Sequence, residues 1–209
     1  MENILLQWEG PFSLDTPDNR SQFHPKDVPG VYLWTVRHPL ENQTSFRISY
    51  VGETSSLRNR MHEHITSILG GKALLFEEEQ FLRGTPLNAS TARYKPSRSE
   101  NPFREFLEDF NKYSQLAYRN LVSYHFFWAE MSEDGGLQGL PSRKAVESAL
   151  IAHAIKKNDP LQNHSVSLSR KNSRKFMIES NFSRAEGLSE VVPASMDYGD
   201  KQDSQGTAG

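Results

Sequence analysis

Residues 30–71 place the tightest constraint on the fold, because two strands and a helix follow one another with few spare residues. The run Val31 to Val36 is β-branched and aromatic, and the run Phe46 to Val51 partly alternates after a turn-like segment, so the two predict a β-hairpin. Thr and Ser residues that suit a helix N-cap then precede residues 57–69, whose apolar side chains have helical spacing. Gly70-Gly71 ends that predicted helix. The centre of the fold is therefore a strand–strand–helix unit.

Four further elements are predicted after this unit. A short helix falls within residues 73–82, and Asn101-Pro102 begins a longer helix, with Asn at the N-cap and Pro at the first position. The aromatic-rich run Leu121 to Met131 predicts a third, mostly buried strand, and Pro141 to Lys157 predicts a last helix. We therefore expect an α/β (α+β) domain with a small, mainly antiparallel three-stranded sheet flanked by helices.

The two ends of the chain differ in composition from this central part. Residues 1–29 are rich in Pro, Asp, Asn and Gln and predict an irregular N-terminal arm before a domain over residues 30–180. Residues 181–209 hold five carboxylates against two cations and predict an acidic, disordered tail. The N-terminus lacks the pattern of a signal peptide, and no run of about 18 apolar residues occurs. We expect a cytoplasmic protein that does not contact membranes.

Composition limits the chemistry that this chain can carry out. The absence of cysteine excludes disulfides, thiolate nucleophiles and cysteine-bound zinc or iron–sulfur centres, so oxygen-bound Mg²⁺ or Mn²⁺ is the expected metal. The net charge of −2 is an average, since Arg143 to Lys175 holds eight cations against two carboxylates, a local charge of +6. That stretch suits a phosphate backbone, although taken alone it is better explained as a solvated helix face followed by a basic loop.

Two short motifs bracket the predicted hairpin. Gly30-Val31-Tyr32 opens the first strand, and Tyr50-Val51-Gly52 ends the second. Either motif alone carries little information, because a tyrosine in a strand is common packing material. The following helix adds to them, since Arg60 and His64 are four residues apart and project from one helix face.

These residues resemble the motifs of the GIY-YIG nuclease family, whose members share an arginine, and often a histidine, on the helix after the second motif. In this resemblance, the metal-binding glutamate of the family corresponds to Glu147 and its downstream asparagine to Asn163. Because Glu147 lies 83 residues beyond His64, we interpret residues 73–120 as an insertion, similar to those that embrace DNA in restriction enzymes of the family. A structural ion pair with a neighbouring cation, Arg143 or Lys144, is the alternative explanation of Glu147.

The resemblance implies hydrolysis of a phosphodiester bond, which needs an activated water, neutralisation of charge on the phosphate and help for the departing oxygen. It assigns one task to each matched residue. These tasks are Mg²⁺ binding for Glu147, phosphate clamping for Arg60, acceptance of the water proton for Tyr32, passage of that proton onward for His64, water placement for Tyr50, and orientation of the phosphate or of Tyr32 for Asn163.

We therefore expect a divalent-metal-dependent DNA endonuclease, of a restriction type that is sequence-specific. The alternatives are a DNA repair or structure-specific nuclease, a non-cutting nucleic-acid-binding module of the same fold, and a small interaction domain whose motifs match by accident. A palindromic recognition site would make the protein a homodimer. The candidate DNA-phosphate contacts are Arg58, Arg93, Lys95, Arg98, Arg143, Lys144, Arg170, Lys171, Arg174 and Lys175.

Overall fold

The computed structural model describes residues 2–40, 43–83, 87–96, 104–131, 143–162 and 176–198. Within these residues, six strands form one curled sheet in the order β3-β2-β4-β1-β5-β6. The strands are β1 (Glu2–Ser13), β2 (Gly30–Leu40), β3 (Gln43–Thr54), β4 (Tyr124–Glu130), β5 (Phe176–Ala185) and β6 (Ser195–Tyr198). The sheet is mixed, because β1 and β5 pair in parallel whereas every other neighbouring pair is antiparallel.

Helices cover both faces of this sheet. They are α1 (Pro17–Gln22), α2 (Leu57–Leu69), α3 (Glu78–Leu82), α4 (Arg104–Glu108), α5 (Phe110–Ser123) and α6 (Arg143–Lys156), with a 3-10 helix at Leu188–Glu190. Helices α2 to α5 pack on one face, and α6 packs on the other together with the 3-10 helix. Among the described residues, no helix has the length and apolar character needed to cross a membrane.

Strand β2 supplies side chains to the hydrophobic cores on both faces. Tyr32 and Trp34 are buried against the face that α2 to α5 cover, whereas Val31 and Leu33 are buried against the face that α6 covers. Successive side chains of a strand point to opposite faces, so a strand covered on both sides is apolar without alternation. This explains the continuous apolar run from which the strand was predicted.

The expected three-stranded sheet is wrong, since the sheet has six strands. Strands β2, β3 and β4 are the three predicted ones, and they are antiparallel neighbours. The irregular arm expected for residues 1–29 is also wrong, because β1 lies inside the sheet between β4 and β5. In β1 every second side chain, Ile4, Leu6 and Trp8, is buried, as is typical of a strand. The polar residues that surround this short run conceal the alternation in the sequence.

The expected disordered tail is likewise wrong for residues 181–198. These residues form the end of β5, the 3-10 helix and β6, and Leu188 and Val192 are fully buried. The acidic side chains of Glu186 and Glu190 face solvent. The acidic composition that predicted disorder therefore describes only the exposed residues of this segment and not its buried apolar ones. The rest of the expected tail, residues 199–209, lies outside the described residues.

The helix predictions agree better with the structure. Helix α2 has the predicted bounds, and α6 confirms the last helix over its described part. The helix expected from residue 101 is instead two helices, α4 and α5, and α5 extends to residue 123, which shortens the third predicted strand at its start. The described part of the expected insertion therefore consists of helices and loops that pack on α2 and on the sheet.

Candidate functional site

The register of β2 and β3 brings the two motifs together. Tyr32 lies opposite Gly52, and Trp34 lies opposite Tyr50. Because cross-strand partners in an antiparallel pair project from the same face, both tyrosines lie on the face that α2 covers. Their rings are stacked, with centroids 6.0 Å apart and an interplanar angle of 20°.

Gly52 provides the space that the Tyr32 ring occupies. A Cβ atom at Gly52 would lie 2.3 Å from both Cζ and the hydroxyl oxygen of Tyr32, far inside van der Waals contact. The Tyr32 side chain is fully buried, so it has little room to move away. The glycine of the second motif thus sets the position of the phenol of the first.

Helix α2 places two further side chains on this phenol. Ser56 caps the helix by accepting a hydrogen bond from the Asn59 backbone amide at 3.2 Å. Arg60 Nε donates to the Tyr32 hydroxyl oxygen at 3.1 Å, and this oxygen lies 2.8 Å from Nε2 of His64. The structure therefore joins Tyr32, Arg60 and His64 by direct hydrogen bonds.

Electrostatics sets the protonation states of this group. Burial, together with the charge of Arg60, lowers the pKa of His64 to about 3, so its imidazole is neutral at neutral pH. Burial raises the pKa of Tyr32, as does Tyr50, while Arg60 opposes the rise. Both groups are therefore uncharged near pH 7. Since Arg60 donates to the phenol oxygen, we assign the phenol proton to the hydrogen bond with His64, which accepts at Nε2.

Aromatic rings hold the imidazole in place. The Trp34 ring packs edge-on against His64, with centroids 4.6 Å apart, and the Tyr50 ring does so at 5.2 Å. Behind Trp34 lies the buried Tyr124, whose hydroxyl accepts a hydrogen bond from Gln162 Nε2 at 2.7 Å. These contacts restrict the orientation of His64 and keep Nε2 directed at the phenol.

Glu147 lies on α6, on the opposite face of the sheet from α2. Burial raises the pKa of its carboxyl, and the Glu53 carboxylate raises it further, while Lys144 and Arg60 lower it. Because β3 is an edge strand, Glu147 can lie beside Glu53 on one face while its carboxyl still interacts electrostatically with Arg60 on the other face. Of the two cations in the alternative explanation of Glu147, Arg143 pairs through Nε with Glu53 at 3.2 Å, whereas Lys144 lies close enough to lower the pKa of the Glu147 carboxyl.

Glu147 and Glu53 are the carboxylates near the tyrosine cluster that could hold a divalent cation, and Glu53 is at the same time paired with Arg143. Two partly buried carboxylates that repel each other would be stabilised by Mg²⁺, which uses one or two protein carboxylates and retains several waters. Within the described ranges, no group of three or more His, Asp or Glu side chains that could hold a metal ion occurs. Glu53 was missed from the sequence, although its position directly after Gly52 was a signal.

The described candidates for DNA contact belong to three parts of the chain: α2 holds Arg58, the segment between α3 and α4 holds Arg93 and Lys95, and α6 holds Arg143 and Lys144. Arg58, Lys95 and Lys144 are exposed, and Arg93 is exposed beside Glu77, with Nε and Oε1 3.5 Å apart. The remaining predicted residues lie outside the described residues: Arg98, Asn163, Arg170, Lys171, Arg174 and Lys175.

A pocket opens next to the tyrosine cluster, with a volume of about 500 Å³. It was not predicted, because helical spacing indicates only that residues 60, 64 and 67 share one face of α2 and does not report a cavity beside them. Its lining residues are Arg60, Glu63, His64, Thr66, Ser67 and Lys72.

Comparisons of this chain with protein families, with curated proteins and with solved structures find no significant match.

Proposed function

We propose that this protein is a divalent-metal-dependent endonuclease that hydrolyses phosphodiester bonds in DNA. The observation that carries the proposal concerns the Tyr32 hydroxyl. It is hydrogen-bonded both to a permanent cation, Arg60, and to a neutral base, His64. A phosphodiesterase needs a proton acceptor beside a group that binds the phosphate. The three side chains provide both within hydrogen-bond distance.

In this proposal Tyr32 and His64 act together as the base. A free phenolate at pH 7 would cost about 4 kcal/mol even at the ordinary pKa of tyrosine, and burial raises that cost. A concerted transfer avoids it, because the attacking water gives its proton to the Tyr32 oxygen while the Tyr32 proton moves to His64 Nε2. A DNA phosphate beside Arg60 would offset one of the two causes of the low His64 pKa and thereby favour the transfer.

Arg60 binds the phosphate in this mechanism. Its Nε is held by Tyr32, and one N–H of Nη1 is held by Glu63 at 2.8 Å. A guanidinium carries five N–H donors, so three remain to be directed at phosphate oxygens. A planar cation with a fixed orientation stabilises the extra negative charge that develops as the nucleophile attacks.

Glu147, with Glu53 beside it, would hold the divalent cation. Bound Mg²⁺ would neutralise charge on the phosphate and on the departing oxygen. Burial and the Glu53 carboxylate raise the pKa of the half-buried Glu147 carboxyl, while Lys144 and Arg60 oppose the rise, and a bound cation would offset both causes of the rise. Tyr50, stacked on Tyr32, completes the wall around the attacked phosphate in this proposal.

The test is cleavage of DNA by the purified chain. Supercoiled plasmid and genomic DNA are incubated with Mg²⁺, with and without EDTA, and the fragments are separated. Tyr32→Phe removes the hydroxyl and Glu147→Ala removes the metal ligand. Their matched controls are Tyr118→Phe and Glu108→Ala, which change an exposed tyrosine and an exposed glutamate on α5 and α4.

The fragments identify the class of nuclease. Discrete bands that disappear with EDTA, Tyr32→Phe and Glu147→Ala support the sequence-specific, restriction-type enzyme. Nicking or a smear with the same losses supports a repair or nonspecific nuclease. DNA that stays intact under every condition but is still bound contradicts the endonuclease proposal and favours a non-cutting module.

A further inference from the structure

Two hydrogen bonds hold the guanidinium of Arg60, and they involve different nitrogens. Nε donates to the Tyr32 hydroxyl oxygen at 3.1 Å, and Nη1 donates to Oε2 of Glu63 at 2.8 Å. A single bond at Nε leaves the planar group free to tilt about that bond, whereas a second bond at another nitrogen fixes the plane. Glu63 and Tyr32 together therefore set the direction of the remaining N–H groups.

The pair of Arg60 and Glu63 lies at the wall of the pocket beside the tyrosine cluster. Arg60, Glu63 and His64 all line this pocket, so the Glu63 carboxylate lies next to the position proposed for the DNA phosphate. A negative charge there repels a phosphate and weakens DNA binding. Affinity for DNA therefore does not explain the presence of Glu63.

Stability does not explain the pair either. The side chains of Arg60 and Glu63 are 38% and 62% exposed, and ion pairs exposed to this degree contribute little to the free energy of unfolding. Arg60 also precedes Glu63 in α2, whereas an acidic residue before a basic one is the order that stabilises a helix more. Orientation of the guanidinium is the remaining effect of this contact.

We propose that Glu63 is a positioning residue for the cleavage reaction. It holds the plane of the Arg60 guanidinium so that the free N–H groups meet the phosphate oxygens as the nucleophile attacks. This inference rests on the proposed function and adds a residue that lies outside the matched motifs. Its consequence is that Glu63 speeds the cleavage of bound DNA and at the same time weakens the binding of DNA.

Two substitutions separate the reach of Glu63 from its charge. Glu63→Gln removes the charge but keeps an oxygen at the same distance from the backbone, so it can still accept from Arg60. Glu63→Asp keeps the charge but is one methylene group shorter, and Arg60 cannot follow it without stretching its bond to Tyr32. Glu63→Ala removes both. The matched control is Glu108→Ala, because Glu108 is also 62% exposed and is paired with Arg104 at 2.7 Å.

Cleavage and binding are measured separately on the full chain. Single-turnover cleavage of supercoiled plasmid is followed in Mg²⁺ at saturating protein, and fluorescence anisotropy of a labelled duplex is followed in EDTA. Since a misplacement of about 1 Å can slow catalysis by about 10²-fold, Glu63→Ala and Glu63→Asp should cut bound DNA at least about tenfold more slowly. Glu63→Gln should keep most of the rate. Glu63→Gln and Glu63→Ala should bind DNA at least as tightly as the wild-type chain, and Glu108→Ala should match the wild-type chain in both assays.

A double-mutant cycle tests whether Glu63 acts through Arg60. In an Arg60→Lys background, Glu63→Ala should change the cleavage rate much less. A wild-type rate in Glu63→Ala, an equal loss of rate in Glu63→Gln and Glu63→Ala, an equal loss in both backgrounds, or weaker DNA binding by Glu63→Gln overturns the positioning role and leaves the endonuclease proposal standing. Absence of cleavage by the wild-type chain overturns both.

Discussion

Substitution of Gly52 by alanine should disable the candidate site without removing any functional group from it. The added Cβ would lie 2.3 Å from Cζ and from the hydroxyl oxygen of Tyr32, whereas non-bonded carbon atoms prefer about 3.5–4.0 Å. The phenol must therefore retreat by roughly 1 Å or more. Its hydrogen bonds with His64 and Arg60, at 2.8 and 3.1 Å, would be lost or distorted.

Two magnitudes follow from this displacement. Overpacking of a buried position costs about 1–3 kcal/mol in the free energy of unfolding. A misplacement of about 1 Å can slow catalysis by about 10²-fold. We expect Gly52→Ala to show both effects in urea unfolding and in plasmid cleavage, with DNA affinity close to that of the wild-type chain.

A double-mutant cycle tests whether the phenol is the cause. In a Tyr32→Ala background the ring is absent, so Gly52→Ala should then change the free energy of unfolding by much less. An equal stability cost in both backgrounds would refute the steric argument. Wild-type cleavage by Gly52→Ala would refute the assignment of Tyr32 to the reaction.

Three further predictions concern single groups. Tyr32→Phe should lower the single-turnover cleavage rate by about 10²-fold or more, as expected for loss of a general base, while Tyr118→Phe leaves it unchanged; equal rates for the two variants would exclude Tyr32 as the base. His64 has a folded-state pKa of about 3 against 6.5 unfolded, so the unfolded chain binds the proton first as the pH falls, and stability is lost between these two values. At pH 5 this loss amounts to about 2 kcal/mol. The free energy of unfolding in urea should therefore fall less between pH 8 and pH 5 for His64→Gln than for the wild-type chain. An equal fall in both would argue against a buried neutral imidazole. The side-chain amide of the buried Asn120 accepts a hydrogen bond from Phe76 N at 2.7 Å and donates one to Leu116 O at 2.9 Å. Asn120→Leu should therefore lower the free energy of unfolding in urea by about 2–4 kcal/mol. A loss below about 1 kcal/mol would contradict the contribution of these two hydrogen bonds to stability.

The central unit of the fold could be predicted from the sequence because its signals are local. The β-branched run of β2 and the Ser cap and diglycine stop of α2 lie next to the residues they control. Strands β1, β5 and β6 could not be predicted in the same way. The pairing of β1 with β5 joins residues 2–10 with residues 176–185, and no local pattern reports a partner that far away, while β6 in turn pairs only with β5.

The same distinction applies to the candidate site. Tyr32, Tyr50, Arg60 and His64 fall within 33 residues of one another, so a hairpin and one helix suffice to bring them together. The neighbourhood of Glu147 depends on α6 packing against the far face of an edge strand, which is a tertiary property. Glu63 was missed because an Arg–Glu pair three residues apart is common on helix surfaces, and only the bond of Arg60 to Tyr32 distinguishes this one.

Cleavage of supercoiled plasmid by the wild-type chain and by Tyr32→Phe, compared at equal DNA occupancy in Mg²⁺, tests the central claim most directly. The account predicts metal-dependent cleavage by the wild-type chain, intact plasmid with Tyr32→Phe, and the same affinity for DNA in both. Cleavage by Tyr32→Phe at the wild-type rate, or an absence of cleavage by the wild-type chain, would contradict it.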